Sequence, residues 1–188
     1  MSAPIPAHIP AWVEGKLQPV EKLEAHLRGL RHKAISVFVT DGDRILLQRR
    51  ALGKYHTPGL WANTCCTHPH WTDAGVEGDL ACATRRLDEE LGITGLSLTH
   101  AGTVEYRADV GGGLIEHELV QVFTAPAPAR LRIAPDPDEV AATRWVRLPE
   151  LQAEIAQEPA RFTPWLRIYL RDHLERIFGP GGLVAAEP

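Results

Sequence analysis

A helical repeat of apolar residues dominates the middle of the chain. Between Asp73 and Leu91, spacings of three and four residues place one apolar stripe along a helix, formed by Val76, Leu80, Ala83, Leu87 and Leu91. Gly92 follows directly, which predicts the C-terminal stop of that helix. An amphipathic helix must bury its stripe against another layer of structure, so the segments on either side decide the fold class.

Alternating strands flank this helix and supply that layer. Ile35, Val37 and Val39 alternate, Asp41 and Gly42 form a turn, and residues 45–47 return, which predicts a β-hairpin. Paired strands are predicted for residues 104–108 and 114–124, a short strand for 143–148, and helices for 149–156 and 163–178. This mixture predicts an α+β sandwich built on hairpins and not an alternating βαβ fold.

Composition favours an ordinary globular protein. The chain has 188 residues, 44% hydrophobic and 23% charged, which predicts a single domain over residues 1–188 with loose ends at 1–11 and 179–188. A net charge of -4 gives no reason to expect nucleic acid or an anionic membrane as partner. No apolar run approaches the roughly 20 residues of a membrane span. Three cysteines are too few for a disulfide framework, so we expect a reducing, cytoplasmic location.

The stretch "LWANTCCTHPHW", residues 60–71, concentrates reactive side chains. It contains two adjacent cysteines, two histidines and two tryptophans. A structural metal site, a disulfide or a reactive thiol would each use such residues. Cys65 and Cys66 are neighbours and seldom bridge each other, because the bond strains the peptide between them, so a disulfide is the least favoured explanation. The chain has no C-x2-C pair, which argues against a closed zinc module.

Two glutamates lie two residues apart in a predicted strand. Glu116 and Glu118 therefore share one face, together with Leu114, Val120 and Val122. Two carboxylates on an apolar face are costly unless they are neutralised, and a metal ion is the usual solution. The alternative is a solvated strand face with scattered aliphatic side chains.

Histidines elsewhere in the chain could complete such a metal site. His26, His32 and His68 would add three nitrogens to the two carboxylates, a set that suits zinc or manganese and tolerates magnesium. By composition alone, His56 and His70 fit a ligand list about as well.

The charged face of the central helix resembles the diphosphate-processing box of the Nudix superfamily, G-x5-E-x7-R-E-U-x-E-E-x-G-U, where U is aliphatic. The box is matched by Glu77, Arg85, Leu87, Glu89, Glu90, Gly92 and Ile93. Trp71 replaces its first glycine, and Arg86 replaces the glutamate after the arginine. Carboxylates in this arrangement hold magnesium ions against a diphosphate, whereas Arg86 can contact phosphate oxygens directly. Further cations that could surround a diphosphate are Lys22, Arg49, Arg50 and Lys54.

Over most of its length, from about Trp12 to about Leu170, the chain resembles bacterial type 1 isopentenyl-diphosphate isomerases. The shared segments, in order, are "KLEAH", "LRHKAIS", "LLQRRALGKYHTPGLWANTCCTHP", "RRLDEELGI", "GLIEHEL" and "RFTPW". The N-T-C-C-x-H-P and E-H-E-L elements are specific to these isomerases, whereas the helix box is shared with hydrolases. The resemblance implies a Nudix-like α/β/α sandwich with a mixed sheet. It also implies an enzyme of isoprenoid biosynthesis that converts isopentenyl diphosphate to dimethylallyl diphosphate through a tertiary carbocation.

The resemblance also implies roles for individual residues. The implied catalytic residues are Cys66, Glu118, Tyr106 and Trp165. One divalent ion, Mn2+, Mg2+ or Zn2+, would be held by His26, His32, His68, Glu116 and Glu118. A Mg2+ ion that bridges to the substrate diphosphate would be held by Glu90. The implied diphosphate contacts are Lys22, Arg50, Lys54 and Arg86.

The reaction explains why such residues are needed. Moving a double bond requires one proton to be added and another removed, and Cys66 and Glu118 could serve on opposite faces of the alkene. The indole of Trp165 could stabilise a carbocation by up to ~2 kcal/mol. A nearby positive charge is expected to favour the Cys66 thiolate. The alternatives are a Nudix hydrolase of a nucleoside diphosphate, which leaves Cys66 and "EHEL" unexplained, and a non-enzymatic zinc module.

Overall fold

The computed structural model describes residues 8–183. Its strands are β1 (His8–Val13), β2 (Lys16–Glu21), β3 (His32–Asp41), β4 (Arg44–Arg50), β5 (Trp61–Ala62), β6 (Cys65–Thr67), β7 (Trp71–Thr72), β8 (Gly75–Val76), β9 (Thr99–Gly111), β10 (Leu114–Pro126) and β11 (Val140–Arg147). Its helices are α1 (Lys22–Leu27), α2 (Asp79–Leu91), α3 (Leu148–Gln157), α4 (Pro164–Asp172) and α5 (Leu174–Phe178). Within these residues, no helix is both long and apolar enough to cross a membrane.

The large sheet is mixed, as the sequence predicts. Its main path runs β11-β4-β3-β1-β2, and β10 lies parallel to β3 while it pairs antiparallel with β9. The short strand β6 also pairs with β3, so that Cys66 stands opposite Ser36. The predicted hairpins are present, because β3 turns into β4 and β9 turns into β10 at the glycines of "VGGG". Strand β3 is therefore the axis around which the sheet is built.

Alternate residues of β3 face two different helical layers. Ile35, Val37 and Val39 pack in one core cluster with the buried face of α2. Ala34 and Phe38 point the other way, into a cluster with α3, α4 and α5. Because strand side chains alternate, a single buried strand serves both layers. The predicted α/β/α sandwich is confirmed.

Helix α2 starts later than the sequence pattern predicts. It begins at Asp79 and not at Asp73, because residues 71–76 form the small hairpin β7–β8. The turn of that hairpin uses Gly75 at φ +106, a conformation that L side chains rarely adopt. Leu80, which the sequence pattern placed in the apolar stripe, is 52% exposed. Cys82, which the pattern left out, is buried with the apolar side chains of α2.

The predicted helix stop at Gly92 is confirmed. Gly92 adopts φ +61, and its N–H donates to the carbonyl of Asp88. A Cβ at this position would lie 2.9 Å from the Cβ of Ala134, so both the backbone and the neighbouring loop require glycine.

The amino-terminal prediction is partly wrong. Residues 8–11, expected in a loose end, belong to β1, where Ile9 and Ala11 are buried. These side chains pack with Val20 and Ala25 in a small core of their own, which ties the β1–β2 hairpin to α1. Residues 1–7 and 184–188 lie outside the described residues. After α5, Leu183 still packs against the main core.

An ion pair joins α2 to the segment before it and makes stability depend on pH. The Arg85 guanidinium donates to both carboxylate oxygens of Glu77, at 2.7 and 2.8 Å, and these bonds lower the pKa of Glu77 to about 2. A depressed carboxyl pKa stabilises the fold above its unfolded value of 4.5, and this stability is lost as pH falls toward 2.

Glu77→Gln is expected to lower the free energy of unfolding by about 1 kcal/mol at neutral pH, after allowance for solvent screening. Urea titrations across the acid range should show this difference shrinking as pH falls toward the pKa of Glu77. The exposed carboxylate of Asp88, on the same helix, provides the control variant Asp88→Asn. A loss of unfolding free energy that is the same at all pH values would show that the Glu77–Arg85 ion pair is not the cause of the pH dependence.

Candidate active site

One pocket of about 180 Å3 collects most of the residues named from the sequence. Its walls come from α1, the loop after β4, β6, α2, the β9–β10 pair and α4. The lining residues are Lys22, Arg50, Gly53, Lys54, Tyr55, His56, Cys66, Thr67, His68, Arg86, Glu90, Tyr106, Glu116, Glu118 and Trp165. His26 and His32 do not line it but are fully buried beside Glu116.

Four of the five expected metal ligands form one buried cluster. Ligand atoms of His26, His32, His68 and Glu116 all lie within 4.8 Å of one another. Three chain segments that are distant in sequence meet here, because β10 runs parallel to β3 and places Glu118 opposite His32. The shared face of Glu116 and Glu118 is confirmed, since both are buried with Leu114 and Val120.

The hydrogen bonds of two imidazoles fix which nitrogen faces the cluster. His26 Nδ1 lies 2.6 Å from the carbonyl oxygen of Lys22, and His32 Nδ1 lies 2.7 Å from that of Leu30. A carbonyl only accepts, so each Nδ1 donates its proton there, and each Nε2 is the nitrogen that faces the cluster and could ligate a metal ion. Metal-bound histidines are oriented by the same kind of contact.

Both Nε2 atoms face a carboxylate oxygen. His26 Nε2 lies 3.0 Å and His32 Nε2 lies 3.4 Å from Oε2 of Glu116, yet none of the three atoms has a well-directed hydrogen bond within residues 8–183. Buried polar atoms without hydrogen bonds are costly, and a cation bound between them would satisfy all three. The donor set therefore fits a divalent cation.

Glu118 stands at the edge of this cluster. Its Oε1 lies 2.9 Å from His68 Nε2, and its Oε2 accepts a 2.7 Å hydrogen bond from the hydroxyl of Tyr106, its register partner on β9. Burial raises the pKa of this carboxyl, but contacts with His32 and Tyr106 outweigh that and lower it. These contacts favour the ionised form of Glu118, which lies between the histidine–glutamate cluster and the pocket.

The Cys66 sulfur lies in the same pocket and is held by two polar neighbours. It donates to Oδ1 of Asn63 at 2.9 Å and lies 3.1 Å from the hydroxyl oxygen of Ser36. Burial raises the pKa of the Cys66 thiol to about 12, and the hydrogen bond with Ser36 offsets this only in part. Burial therefore favours the thiol form of Cys66, and the expectation that a nearby positive charge favours the thiolate stays a prediction. Cys65 points away into the α2 core and is fully buried.

Cationic side chains also line the pocket. Arg86 and Lys54 both contact Oε2 of Glu139, the former at 3.0 Å. Lys22 adds a third cation, and burial lowers its pKa. Arg49, which the sequence placed in this group, is exposed and donates to the carbonyl of Gly59, because strand alternation turns it away.

Arg50 and Trp165 stack on each other in the wall of the pocket. The Arg50 guanidinium lies 5.4 Å from the centroid of the Trp165 indole and donates to the carbonyl of His56 at 3.2 Å. Trp165 is only 3% exposed, and its Nε1 lacks a hydrogen-bond partner among the described residues. The indole forms an apolar wall of the pocket.

Glu90 is the buried carboxylate of helix α2. It is 4% exposed, receives Arg86 on Oε1, and accepts a 2.8 Å hydrogen bond on Oε2 from the buried amide of Gln48. Gln48 was not named from the sequence, because a glutamine in an apolar strand carries no signal of its partner.

The structure also separates the two histidines that composition left open. His56 is buried, lines the pocket, and places Nε2 3.4 Å from Oε1 of Glu116. His70 is exposed, and its backbone N–H donates to Glu77. His56 therefore lines this pocket, whereas His70 lines an adjoining cavity beside Lys22 and Arg86.

Known proteins resemble this chain along most of its length. The NUDIX domain family matches residues 30–166. An isopentenyl-diphosphate Delta-isomerase of Cereibacter sphaeroides is 67% identical over 175 residues, which cover 93% of this chain and 97% of that protein. An enzyme of the same name from Dinoroseobacter shibae is 64% identical and covers 91% of this chain and 95% of that protein. The chain belongs to the isopentenyl-diphosphate Delta-isomerase family.

Membership of this isomerase family agrees with the fold and the pocket. The crystal structure of a MutT NUDIX hydrolase from Burkholderia pseudomallei matches with a TM-score of 0.57 at 25% identity, covering 76% of this chain and 98% of that one. The fold is therefore shared with hydrolases, whereas the high identities are to isomerases. The resemblance inferred from the "TCCTHP" and "EHEL" segments is confirmed, and the zinc-module alternative loses its support.

Proposed function

We propose that this chain converts isopentenyl diphosphate to dimethylallyl diphosphate, and back, by protonation and deprotonation through a tertiary carbocation. The observation that carries the proposal is the joint position of Cys66 and Glu118. The Cys66 sulfur and the Glu118 carboxyl group line the same small pocket, which four cationic side chains also line. Such a pocket offers one group to give a proton and one to take it.

The diphosphate would occupy the cationic side of the pocket. Lys22, Arg50, Lys54 and Arg86 are the proposed contacts, since all four line the cavity. Guanidinium groups bind phosphate oxygens in pairs, which fixes the orientation of the substrate as well as its affinity. The five-carbon chain would then extend toward Cys66, Tyr106 and Trp165.

Proton transfer would use Cys66 and Glu118 on opposite faces of the alkene. In each direction one group gives its proton to one end of the double bond, which leaves the charge on the tertiary carbon, and the other group accepts the proton released from the carbon on the far side of that cationic centre. Tyr106 would keep Glu118 in place through its 2.7 Å hydrogen bond. Because the reaction is reversible, each group serves as donor in one direction and acceptor in the other.

The wall around Trp165 would protect the cationic intermediate. Water would quench a tertiary carbocation, so the site must be dry, and Trp165 is almost fully buried. Its indole face would stabilise positive charge by roughly 2 kcal/mol when desolvated.

Two divalent ions are part of the proposal. His26, His32, His68, Glu116 and Glu118 would hold one ion, of which Mn2+, Mg2+ and Zn2+ are candidates for this donor set. Glu90 would hold a Mg2+ ion that bridges to the diphosphate. When bound, these ions would neutralise the buried carboxylates and the substrate charge.

Gln48 supports Glu90 in this scheme, and its removal should weaken magnesium binding. Gln48→Leu keeps the volume but leaves Oε2 of buried Glu90 without its donor. Loss of a partner that orients a metal ligand costs about 10- to 100-fold in affinity. We expect the Mg2+ concentration for half-maximal activity to rise about tenfold, with the exposed Gln152→Leu as control. An unchanged Mg2+ dependence would remove Gln48 from the site.

Incubation with isopentenyl diphosphate and Mg2+ in deuterated water tests the proposed function. NMR of the product should show dimethylallyl diphosphate that carries solvent deuterium. A sample stripped of divalent ions serves as the control and should be inactive. Release of phosphate without isomer would favour the hydrolase, and no reaction with metal present would overturn the roles of Cys66 and Glu118.

A further inference from the structure

A chain of buried hydroxyl groups ends at the Cys66 sulfur. The Ser36 hydroxyl oxygen lies 3.1 Å from Sγ of Cys66 and 2.9 Å from the hydroxyl oxygen of Tyr169. Ser36 is 1% exposed and Tyr169 is fully buried. These two residues come from β3 and α4, on the side of the sulfur that faces away from α2.

The direction of this chain follows from Asn63. Its amide nitrogen donates to the carbonyls of Val37 and Cys65, at 3.0 and 3.1 Å, so its oxygen must face the sulfur. An amide oxygen only accepts, and the single thiol proton of Cys66 is therefore donated to Asn63 at 2.9 Å.

The remaining protons can then be placed in one way only. Since the Cys66 proton is used, the hydrogen bond between Cys66 and Ser36 requires the Ser36 O–H to donate to the sulfur. The contact between Ser36 and Tyr169 in turn requires the Tyr169 O–H to donate to Ser36. The hydrogen bonds thus run from Tyr169 to Ser36 to Cys66 to Asn63.

We propose that Ser36 and Tyr169 are positioning residues that hold the Cys66 sulfur and keep an O–H donor on it while its proton is exchanged with the substrate. This proposal rests on the proposed isomerase function. When the S–H bond breaks and a C–H bond forms on the alkene, the electron pair stays on sulfur. The Ser36 donor then faces a sulfur that has gained negative charge, and such a hydrogen bond strengthens. In the reverse transfer the sulfur regains its proton and the bond weakens.

Packing alone does not explain why Ser36 and Tyr169 carry hydroxyl groups. Ser36 interrupts a strand face whose neighbours on either side are Ala34 and Phe38. The Tyr169 ring meets the rings of Phe38 and Tyr106 edge-on, at 5.7 and 5.9 Å, and a phenylalanine would make the same contacts. The Tyr169 hydroxyl has Ser36 as its hydrogen-bond partner within the described residues. The Tyr169 hydroxyl therefore acts on the Cys66 sulfur through Ser36.

Kinetics of two variants test the proposal. Ser36→Ala removes the donor on the sulfur, and we expect kcat to fall about tenfold with KM unchanged. Tyr169→Phe keeps the ring and removes only the outer hydroxyl, and we expect kcat to fall about threefold. The control is Thr64→Val, which removes a buried hydroxyl that bonds Leu46 and Val39 but does not contact the sulfur. Wild-type kcat in both variants, or an equal loss in Thr64→Val, would overturn the proposal.

The S–H stretching band of Cys66 gives a second readout that needs no substrate. In a Cys65→Ala/Cys82→Ala background the infrared band reports on Cys66 alone, because the chain has three cysteines. Ser36→Ala and Tyr169→Phe should shift this band, and Thr64→Val should leave it in place. An unshifted band would overturn the proposal even if the isomerase activity is found. A shifted band in a protein without isomerase activity would instead locate the failure in the proposed function.

Discussion

Cys66→Ala is expected to abolish most isomerase activity while the protein remains folded. A positioned proton donor or acceptor contributes about 10²- to 10⁴-fold to a rate, so kcat should fall by that factor. The fold should persist because Cys66 contributes backbone pairing to β6, opposite Ser36, which alanine retains. The measurement is kcat for isopentenyl diphosphate by NMR, with a thermal unfolding curve on the same sample.

Cys65→Ala is the matched control for that variant. Cys65 is the adjacent thiol, but it is fully buried in the α2 core and does not line the pocket. Its loss should cost about 1 kcal/mol of stability through a small cavity and leave kcat near normal. Near-normal turnover in Cys66→Ala, or equal losses in the two variants, would remove Cys66 from the reaction.

Glu116→Gln is expected to remove most bound metal. The change keeps the size of the side chain but removes the charge that the Nε2 atoms of His26 and His32 face at 3.0 and 3.4 Å. Loss of a residue that hydrogen-bonds to a metal ligand costs about 10- to 100-fold in metal affinity, so loss of a ligand itself should cost at least about 100-fold. Elemental analysis of the purified variant, together with its kcat, measures both effects.

The control for this variant lies on the neighbouring strand. Glu105 is an exposed carboxylate of β9 that pairs with Arg31, and Glu105→Gln should leave metal content unchanged. Undiminished metal in Glu116→Gln would show that the buried histidines do not form the metal site. Loss of metal with full activity would show that the reaction does not require the metal.

Much of the sheet and its helices could be predicted from local patterns. Alternation identified the hairpin of β3 and β4 and the β9–β10 pair, since strand side chains repeat every two residues. Gly92 marked the end of α2, because its left-handed φ excludes most other residues. The start of α2 could not be read, because Val76 satisfies a helical repeat and a short strand equally well.

The candidate site also has features that the sequence predicts and features that it does not. The shared face of Glu116 and Glu118 follows from strand geometry, and the resemblance of "TCCTHP" and "EHEL" to isomerases pointed to the reaction. Nothing local indicated that Gln48 reaches Glu90, or that Tyr169 reaches Ser36 across 133 residues. Such partners depend on which faces of distant elements meet, and periodicity does not encode that.

The sequence by itself therefore determined the layers, the family and the set of reactive side chains. Only the tertiary structure decided that His56 lines the pocket and His70 does not, and that Arg49 turns to solvent while Arg50 lies over Trp165. It also decided that the Cys66 sulfur lies in the pocket between Asn63 and Ser36. The reason is physical: a histidine, arginine or cysteine has the same chemistry wherever it stands in the chain. Burial, hydrogen-bond partners and neighbouring charges, which only the folded chain supplies, determine its protonation and its role.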